Sequence, residues 1–141
     1  MTTADTADDT TGLLRPHAEQ RYAEELAALA ALDERPRPTG WRLSPWAVVS
    51  YLMGDTLADG TVITPKYVGS RRLIEIAVAT LATDRALLLL GVPGTAKSWV
   101  SEHLAAAVCG TSTLLVQGTA GTAEEAAVGR SEERRVGKEC R

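Results

Sequence analysis

Between Pro16 and Glu34 the apolar side chains Tyr22, Leu26, Leu29 and Leu32 recur at steps of three and four, with alanines filling the gaps. That period lays one stripe along a helix and predicts an amphipathic helix over 16–34. Two prolines and a glycine in RPRPTG, Arg35 to Gly40, interrupt it and read as a linker. A second, shorter helix is predicted in SPWAVVSYLMG, with Ser44 as N-cap, Pro45 at the first helical position and Gly54 as the stop. Asp59-Gly60 marks a turn, followed by a short extended piece through Val62 and Ile63. From Ser70 to Thr83 a third helix is expected, capped by Ser70 and ended by Asp84-Arg85. Its buried side should carry Leu73, Ile76, Ala77, Val78 and Leu81.

The pattern then changes. Ala86 to Leu90 is a continuous apolar run that reads as a strand buried on both faces, and Ser112 to Gln117 reads as a second. A helix from Lys97 to Cys109, closed by Gly110, lies between them. A strand–loop–helix–strand unit favours a parallel sheet with a right-handed crossover. The expected class is therefore α/β, a parallel sheet flanked by helices, with a helical N-terminal extension. No internal repeat is visible.

Composition narrows the function. The chain has 141 residues, 45% hydrophobic and 23% charged, values typical of a soluble globular domain. Aromatics make up only 4% and Phe is absent, so the core should be aliphatic, which is unusual for an aromatic nucleic-acid reader. Trp41, Trp46 and Tyr51 are accordingly read as packing residues and not as a binding platform. A net charge of −3 argues against nucleic acid or an anionic membrane as partner. Cys109 and Cys140 are too few for a disulfide framework, and His17 and His103 lack companions at metal spacing. Both histidines are expected to be exposed or half-buried on helices, and Cys109 to be a small buried filler. The first 12 residues are polar and acidic, so they read as disordered and not as a signal peptide. No apolar run is long enough to span a bilayer, and a cytoplasmic location is expected.

The chemistry concentrates in GVPGTAKS: Gly91, Val92, Pro93, Gly94, Thr95, Ala96, Lys97 and Ser98. Phosphate binding needs backbone N–H groups converging on one small space, a helix N-terminus behind them and a mobile cation. Gly91, Gly94 and the small Thr95 and Ala96 let the backbone wrap, Lys97 can reach the terminal phosphates, and Ser98 offers a hydroxyl to Mg²⁺. Against G-x-x-x-x-G-K-[ST], Ala96 stands where the second glycine is expected. The competing reading makes Lys97 a solvated helix lysine after an ordinary strand–helix turn. The apolar run ending at Gly91 and the helix beginning at Lys97 favour the phosphate loop.

With those residues in view, GVPGTAKS resembles the Walker A motif of AAA+ ATPases, in particular the MoxR-like branch, where Ala before the lysine is a familiar variant. The stretch YVGSRRLIEIAVATLATDRALLLL is similar to the segment such ATPases place before the loop. That resemblance implies that Val68 and Gly69 flank the adenine, although a simple turn leading into a helix explains the pair as well. LLVQGTAGTAEEA resembles the second core strand and the next helix start, where Thr122 and Glu125 stand at capping-box spacing. The resemblance covers about 61–126. It implies ATP and Mg²⁺ as cofactors, a ring-forming, hexameric, chaperone-like motor that remodels protein complexes, and von Willebrand A-domain proteins as partners.

The last 12 residues, RSEERRVGKECR, lack any apolar period. They resemble translated sequencing-adapter DNA, which implies a non-native tail over 130–141 and a truncated reading frame. Without them the remaining residues hold 10 basic and 15 acidic side chains, a net charge of −5. The expected organisation is a disordered 1–12, a helical extension over 13–58, a partial nucleotide-binding domain over 59–129, and the tail. Hydrolysis in such a family needs an Asp-Glu pair ending an apolar strand. Glu124-Glu125 follows Gly-Thr-Ala instead and reads as helix-start acids, so no catalytic residue is assigned. The sensor residue and arginine finger implied by the resemblance are also missing, and a sheet cut after two strands would leave an open apolar edge. Other readings are a different P-loop enzyme, such as a small-molecule kinase or a GTPase, or a non-catalytic ATP-binding or interaction module. No guanine-reading Asn-Lys-x-Asp is present.

Overall fold

The computed structural model describes residues 15–113. The expectations for 1–12, 114–117, Thr122 to Glu125 and 130–141 lie outside the described residues. Five helices and one small hairpin make up the described part, in the order α1 (Ala18–Arg21), α2 (Ala23–Leu32), α3 (Pro45–Met53), β1 (Asp55–Thr56), β2 (Val62–Ile63), α4 (Arg71–Ala82) and α5 (Lys97–Cys109).

The long helix expected over 16–34 is split at Tyr22, whose φ of −115° and ψ of 28° leave the helical region. Helical hydrogen bonding nearly carries through the break, since Tyr22 N–H donates to Ala18 and its carbonyl accepts from Leu26. Leu26 and Leu29 are buried, whereas Leu32 is exposed at the helix end. The proline-rich linker is held in place by Arg37. Its guanidinium donates to the Asp33 carbonyl at 2.9 Å, an acceptor left open where α2 ends, and to the Arg42 carbonyl at 2.8 Å on the far side of the linker.

Local sequence rules are obeyed closely at α3. Ser44 Oγ accepts from Ala47 N–H at 3.3 Å, Pro45 opens the helix, and Gly54 closes it at φ 82°. Ser44 is itself anchored, because its N–H and its hydroxyl each donate to the Asp33 carboxylate at 2.7 Å. One carboxylate at the end of α2 therefore fixes the start of α3. Val48, Tyr51 and Leu52 of α3 are fully buried and form the centre of a core shared with Leu26, Leu29, Leu43, Ile63, Ile74, Val78, Val100 and Leu104. Trp46, expected to pack, is instead 52% exposed, with the Arg35 guanidinium 5.5 Å from its ring centroid.

The Asp59-Gly60 turn forms as expected and joins β1 to β2 in an antiparallel pair, Asp55 opposite Ile63 and Thr56 opposite Val62. This hairpin is the only sheet among the described residues. Among the described residues no parallel sheet forms, and the second strand expected over 112–117 lies mostly outside them. The run 86–90 carries no regular secondary structure, because a strand is defined by a hydrogen-bonded neighbour and none of the described residues is placed beside it. Burial nevertheless alternates along the run. Leu87 and Leu89 are half-buried and line an apolar cavity of about 260 Å³ with Leu81 of α4 and Leu104 and Val108 of α5, while Leu88 and Leu90 are exposed. Only one of the two expected apolar faces is covered.

Helix α4 turns inward only part of the side expected: Ala77 and Val78 are buried and Leu81 packs half-buried against the core, but Leu73 and Ile76 do not join them. Ile74 is buried as well, while Leu73 and Ile76 are 59% and 51% exposed. The helix is apolar around much of its circumference, so the period alone does not select the face. Contact with α3 selects it. Helix α5 matches its expected limits, ending at Gly110 in the left-handed region.

Replacing Ser44 with Ala should lower the unfolding free energy by about 1–2 kcal/mol, since a cap and the partner of a buried carboxylate are lost together. Chemical denaturation of the variant against the parent chain measures this, and an unchanged midpoint would show that Asp33 and Ser44 do not link the two helices energetically.

Candidate phosphate-binding loop and the cluster behind it

Residues 91–96 form an exposed loop that leads directly into the first turn of α5. Two positive-φ positions near its end, separated by Thr95, bend the backbone sharply: Gly94 at φ 82° and Ala96 at φ 58°, ψ 22°. Such a turn aims successive N–H groups toward one concavity in front of the helix. Gly94 adopts its conformation without penalty. Ala96 does not, and the left-handed region costs a residue with a Cβ about 1–2 kcal/mol. Ala96 is the position where the motif expects glycine, and the backbone there still takes the glycine conformation.

Lys97 reaches back over the loop. Its Nζ donates to the carbonyls of Gly91 at 2.8 Å and Val92 at 2.6 Å, and to Thr95 Oγ1 at 3.0 Å, while Thr95 Oγ1 donates to the Val92 carbonyl at 2.8 Å. A Cβ on Gly91 would lie 3.2 Å from Thr95 Oγ1, tight enough to crowd that hydroxyl, and in ordinary contact with the lysine nitrogen at 3.7 Å. Ser98 is exposed in the same first turn. The loop thus assembles Gly91, Val92, Pro93, Gly94, Thr95, Ala96, Lys97 and Ser98 in one place. The chemistry of this donor set fits a polyphosphate: bent backbone, helix N-terminus and ammonium, with the Ser98 hydroxyl available to a divalent cation.

Val68 and Gly69 sit in the connection before α4. Val68 is 94% exposed, and Gly69 is overlain by Tyr67, whose Oη would be 2.6 Å from a Cβ at position 69. The residues just upstream are pinned. Lys66 N–H and Tyr67 N–H both donate to the Leu52 carbonyl, at 2.9 and 3.0 Å. Trp99, two residues beyond Lys97, donates its indole N–H to the Lys66 carbonyl at 2.6 Å.

Behind the loop helix lies a polar and aromatic cluster that the sequence did not reveal. The Lys66 ammonium is buried, paired with Glu25, and placed 4.5 and 4.6 Å from the ring centroids of Tyr22 and Tyr51. Burial lowers the Lys66 pKa, opposed by the Glu25 carboxylate. Tyr51 Oη shares a 2.9 Å hydrogen bond with His103 Nδ1. Burial raises the Tyr51 pKa, and the nearby Glu25 charge raises it further. The His103 ring is tilted against Trp99 with centroids 4.4 Å apart. His103, expected on the surface or half-buried, is fully buried, and its Nε2 has no hydrogen-bond partner among the described residues. Desolvation is the main cause that pushes its pKa down to about 4, with Lys66, Arg15 and Arg21 adding to it and Glu102 opposing it.

Cys109 is half-buried and not fully enclosed. Among the described residues no group of His, Cys, Asp and Glu could hold a metal on its own, and no helix is long and apolar enough to cross a membrane.

A glycine-bent loop capped by a lysine at a helix N-terminus has the donors that phosphate binding requires. Comparison with known proteins adds a partial match: residues 86–139 are similar to the AAA domain of the dynein-related subfamily, a domain with a P-loop NTPase α/β fold. The chain is also 45% identical over 113 residues to the uncharacterized protein YehL of Escherichia coli strain K12. That alignment covers 80% of this chain and 30% of the relative, so the chain spans about a third of the length of the curated protein it matches. No solved structure matches it.

Two outcomes follow from this geometry. Ala96→Gly should leave stability unchanged or raise it by up to about 1 kcal/mol, whereas Ala105→Gly within α5 should lower it by about 1 kcal/mol. Equal losses in both variants, read by thermal unfolding, would contradict the left-handed assignment of Ala96. For His103, a pKa held below the unfolded value of about 6.5 means that the neutral ring is the folded form. Stability should be intact above pH 6.5 and fall progressively toward pH 4, by on the order of 3 kcal/mol, before most carboxylates protonate. His103→Gln should flatten that part of the profile, and an unchanged slope in urea titrations between pH 7 and 4.5 would contradict it.

Proposed function

We propose that this chain binds ATP with Mg²⁺ through Gly91 to Ser98, as the phosphate-binding part of an ATP-hydrolysing AAA+ motor of the MoxR-like type. The observation that carries the reading is the geometry of Lys97. Its ammonium is held above a loop bent by two left-handed residues, at the N-terminus of a 13-residue helix. The AAA domain match over 86–139 supports the same reading.

In this reading the backbone N–H groups of 94–98 and the dipole of α5 hold the β- and γ-phosphates. Lys97 exchanges the Gly91 and Val92 carbonyls for phosphate oxygens, and Ser98 contributes one oxygen to Mg²⁺. When bound, Mg²⁺ would supply charge neutralisation to the phosphates, and Ser98 is the residue that would help hold it. Val68 and Gly69 lie at the base side. The parent protein would hydrolyse ATP within a hexameric ring, remodel protein complexes and engage a von Willebrand A-domain partner. No residue of this chain is assigned to the hydrolytic step itself.

Isothermal titration of the 141-residue chain with Mg²⁺-ATP should show saturable one-to-one binding. Lys97→Ala should weaken it by at least about tenfold, the loss of a charge-assisted contact. Equal affinity in parent and variant would refute the assignment of the loop.

A further inference from the structure

The indole of Trp99 joins the two halves of the proposed nucleotide site. Trp99 lies two residues after Lys97 on α5 and donates to the carbonyl of Lys66, two residues before Val68. Two residues along a helix correspond to a rotation of about 200°, so Trp99 leaves the axis on the side opposite Lys97. The phosphate-facing side therefore stays clear while the rear of the same turn grips the Lys66 carbonyl.

Both ends of this hydrogen bond are immobilised. The indole packs against both the Arg15 guanidinium, 5.0 Å from its centroid, and the His103 ring at 4.4 Å. Arg15 is in turn bound to Glu102, which also accepts from the Ala18 N–H at 3.1 Å. On the other side, Lys66 is held through its N–H by Leu52 and through its buried ammonium by Glu25, and Glu25 also accepts from Thr64 N–H at 3.1 Å and its hydroxyl at 2.8 Å. The link is thus a hydrogen bond between two anchored segments; Tyr67 is held as well, through its N–H on the Leu52 carbonyl at 3.0 Å, and Val68 and Gly69 extend beyond it toward solvent. Tyr67 closes over Gly69, so the direction of that short segment depends on where Lys66 is fixed.

We propose that Trp99 is a positioning residue for nucleotide recognition: its indole N–H sets the Val68–Gly69 segment relative to the first turn of α5, and so controls affinity for the base end of the ligand without touching it. The proposal rests on the assignment of Gly91–Ser98 to the phosphates and of Val68–Gly69 to the base side. A residue that only stabilises the fold would weaken every ligand alike. A positioning residue should separate ligands with a base from those without one.

The test compares Mg²⁺-ATP with inorganic tripolyphosphate, which carries the phosphates and no base, on the 141-residue chain by isothermal titration. Trp99→Phe keeps an aromatic ring and removes the donor. It should lower ATP affinity about three- to tenfold, the worth of one hydrogen bond, and leave tripolyphosphate affinity unchanged. Parallel losses for both ligands, or no loss for either, would overturn the proposal. A second reading needs no variant: in the parent chain the Trp99 indole N–H resonance should be protected from exchange, and should shift with Mg²⁺-ATP but not with tripolyphosphate. An exchange-labile indole, or equal shifts with both ligands, would overturn it if Trp99→Phe fails to fold. If the parent chain binds neither ligand, the loop assignment falls and this proposal with it; if it binds tripolyphosphate and ATP equally well, the loop assignment survives and the base-side role is refuted.

Discussion

Everything described here is organised around a buried ammonium. Lys66 carries its charge into a space bounded by Tyr22 and Tyr51, where an isolated ion would be strongly destabilised. Glu25 neutralises it, and the two ring faces supply further favourable electrostatics. Replacing such a pair with apolar groups can be harmless, but removing one partner alone leaves an uncompensated charge, a loss typically of several kcal/mol. Four chain segments meet at this point. Helix α2 brings Glu25, α3 brings Tyr51 and the Leu52 carbonyl, the 64–67 segment brings the lysine, and α5 brings Trp99. The N-terminal helices therefore share one core with α5, the helix behind the proposed phosphate loop.

The loop itself shows what that rigidity permits. A left-handed alanine is tolerated only where its surroundings over-determine the backbone. At Ala96 the determinants are the first turn of α5, begun by the Val100 N–H to Ala96 carbonyl bond, and the lysine folded back over Gly91 and Val92. The strain is placed at the mouth of the site, where successive N–H groups must converge. A glycine would adopt the same bend more freely. The alanine narrows the choices of the unfolded loop and so shares out its cost differently.

What could be read from the sequence was what is decided locally. Ser44, Pro45 and Gly54 delimit α3 because capping chemistry depends on a few adjacent residues, and the limits of α5 were legible from Lys97 and Gly110 for the same reason. The glycine-lysine-serine spacing of the loop belongs to this class too. Burial faces were legible only in part: Leu26, Leu29, Ala77 and Val78 are inside as expected, whereas Leu73 and Ile76 are not. Leu73 and Ile76 are as apolar as Ile74, and contact with α3 alone decides which turns inward. Strand formation at 86–90 depends on a neighbour distant in sequence. The cluster around Lys66 was hidden most completely, because its members come from positions 22, 25, 51, 66, 99 and 103, and no spacing connects them. A lone lysine near a proline and a lone histidine on a helix carry no signal until the chain brings them together.

The central claim is that the N–H groups of 94–98 converge on bound phosphate. Amide resonances of a ¹⁵N-labelled chain, followed while Mg²⁺-ATP is added, test it most directly. The account predicts that the largest saturable shifts fall on Gly94, Thr95, Ala96, Lys97 and Ser98. Shifts concentrated elsewhere, or a loop whose amides do not respond at saturating nucleotide, would contradict it.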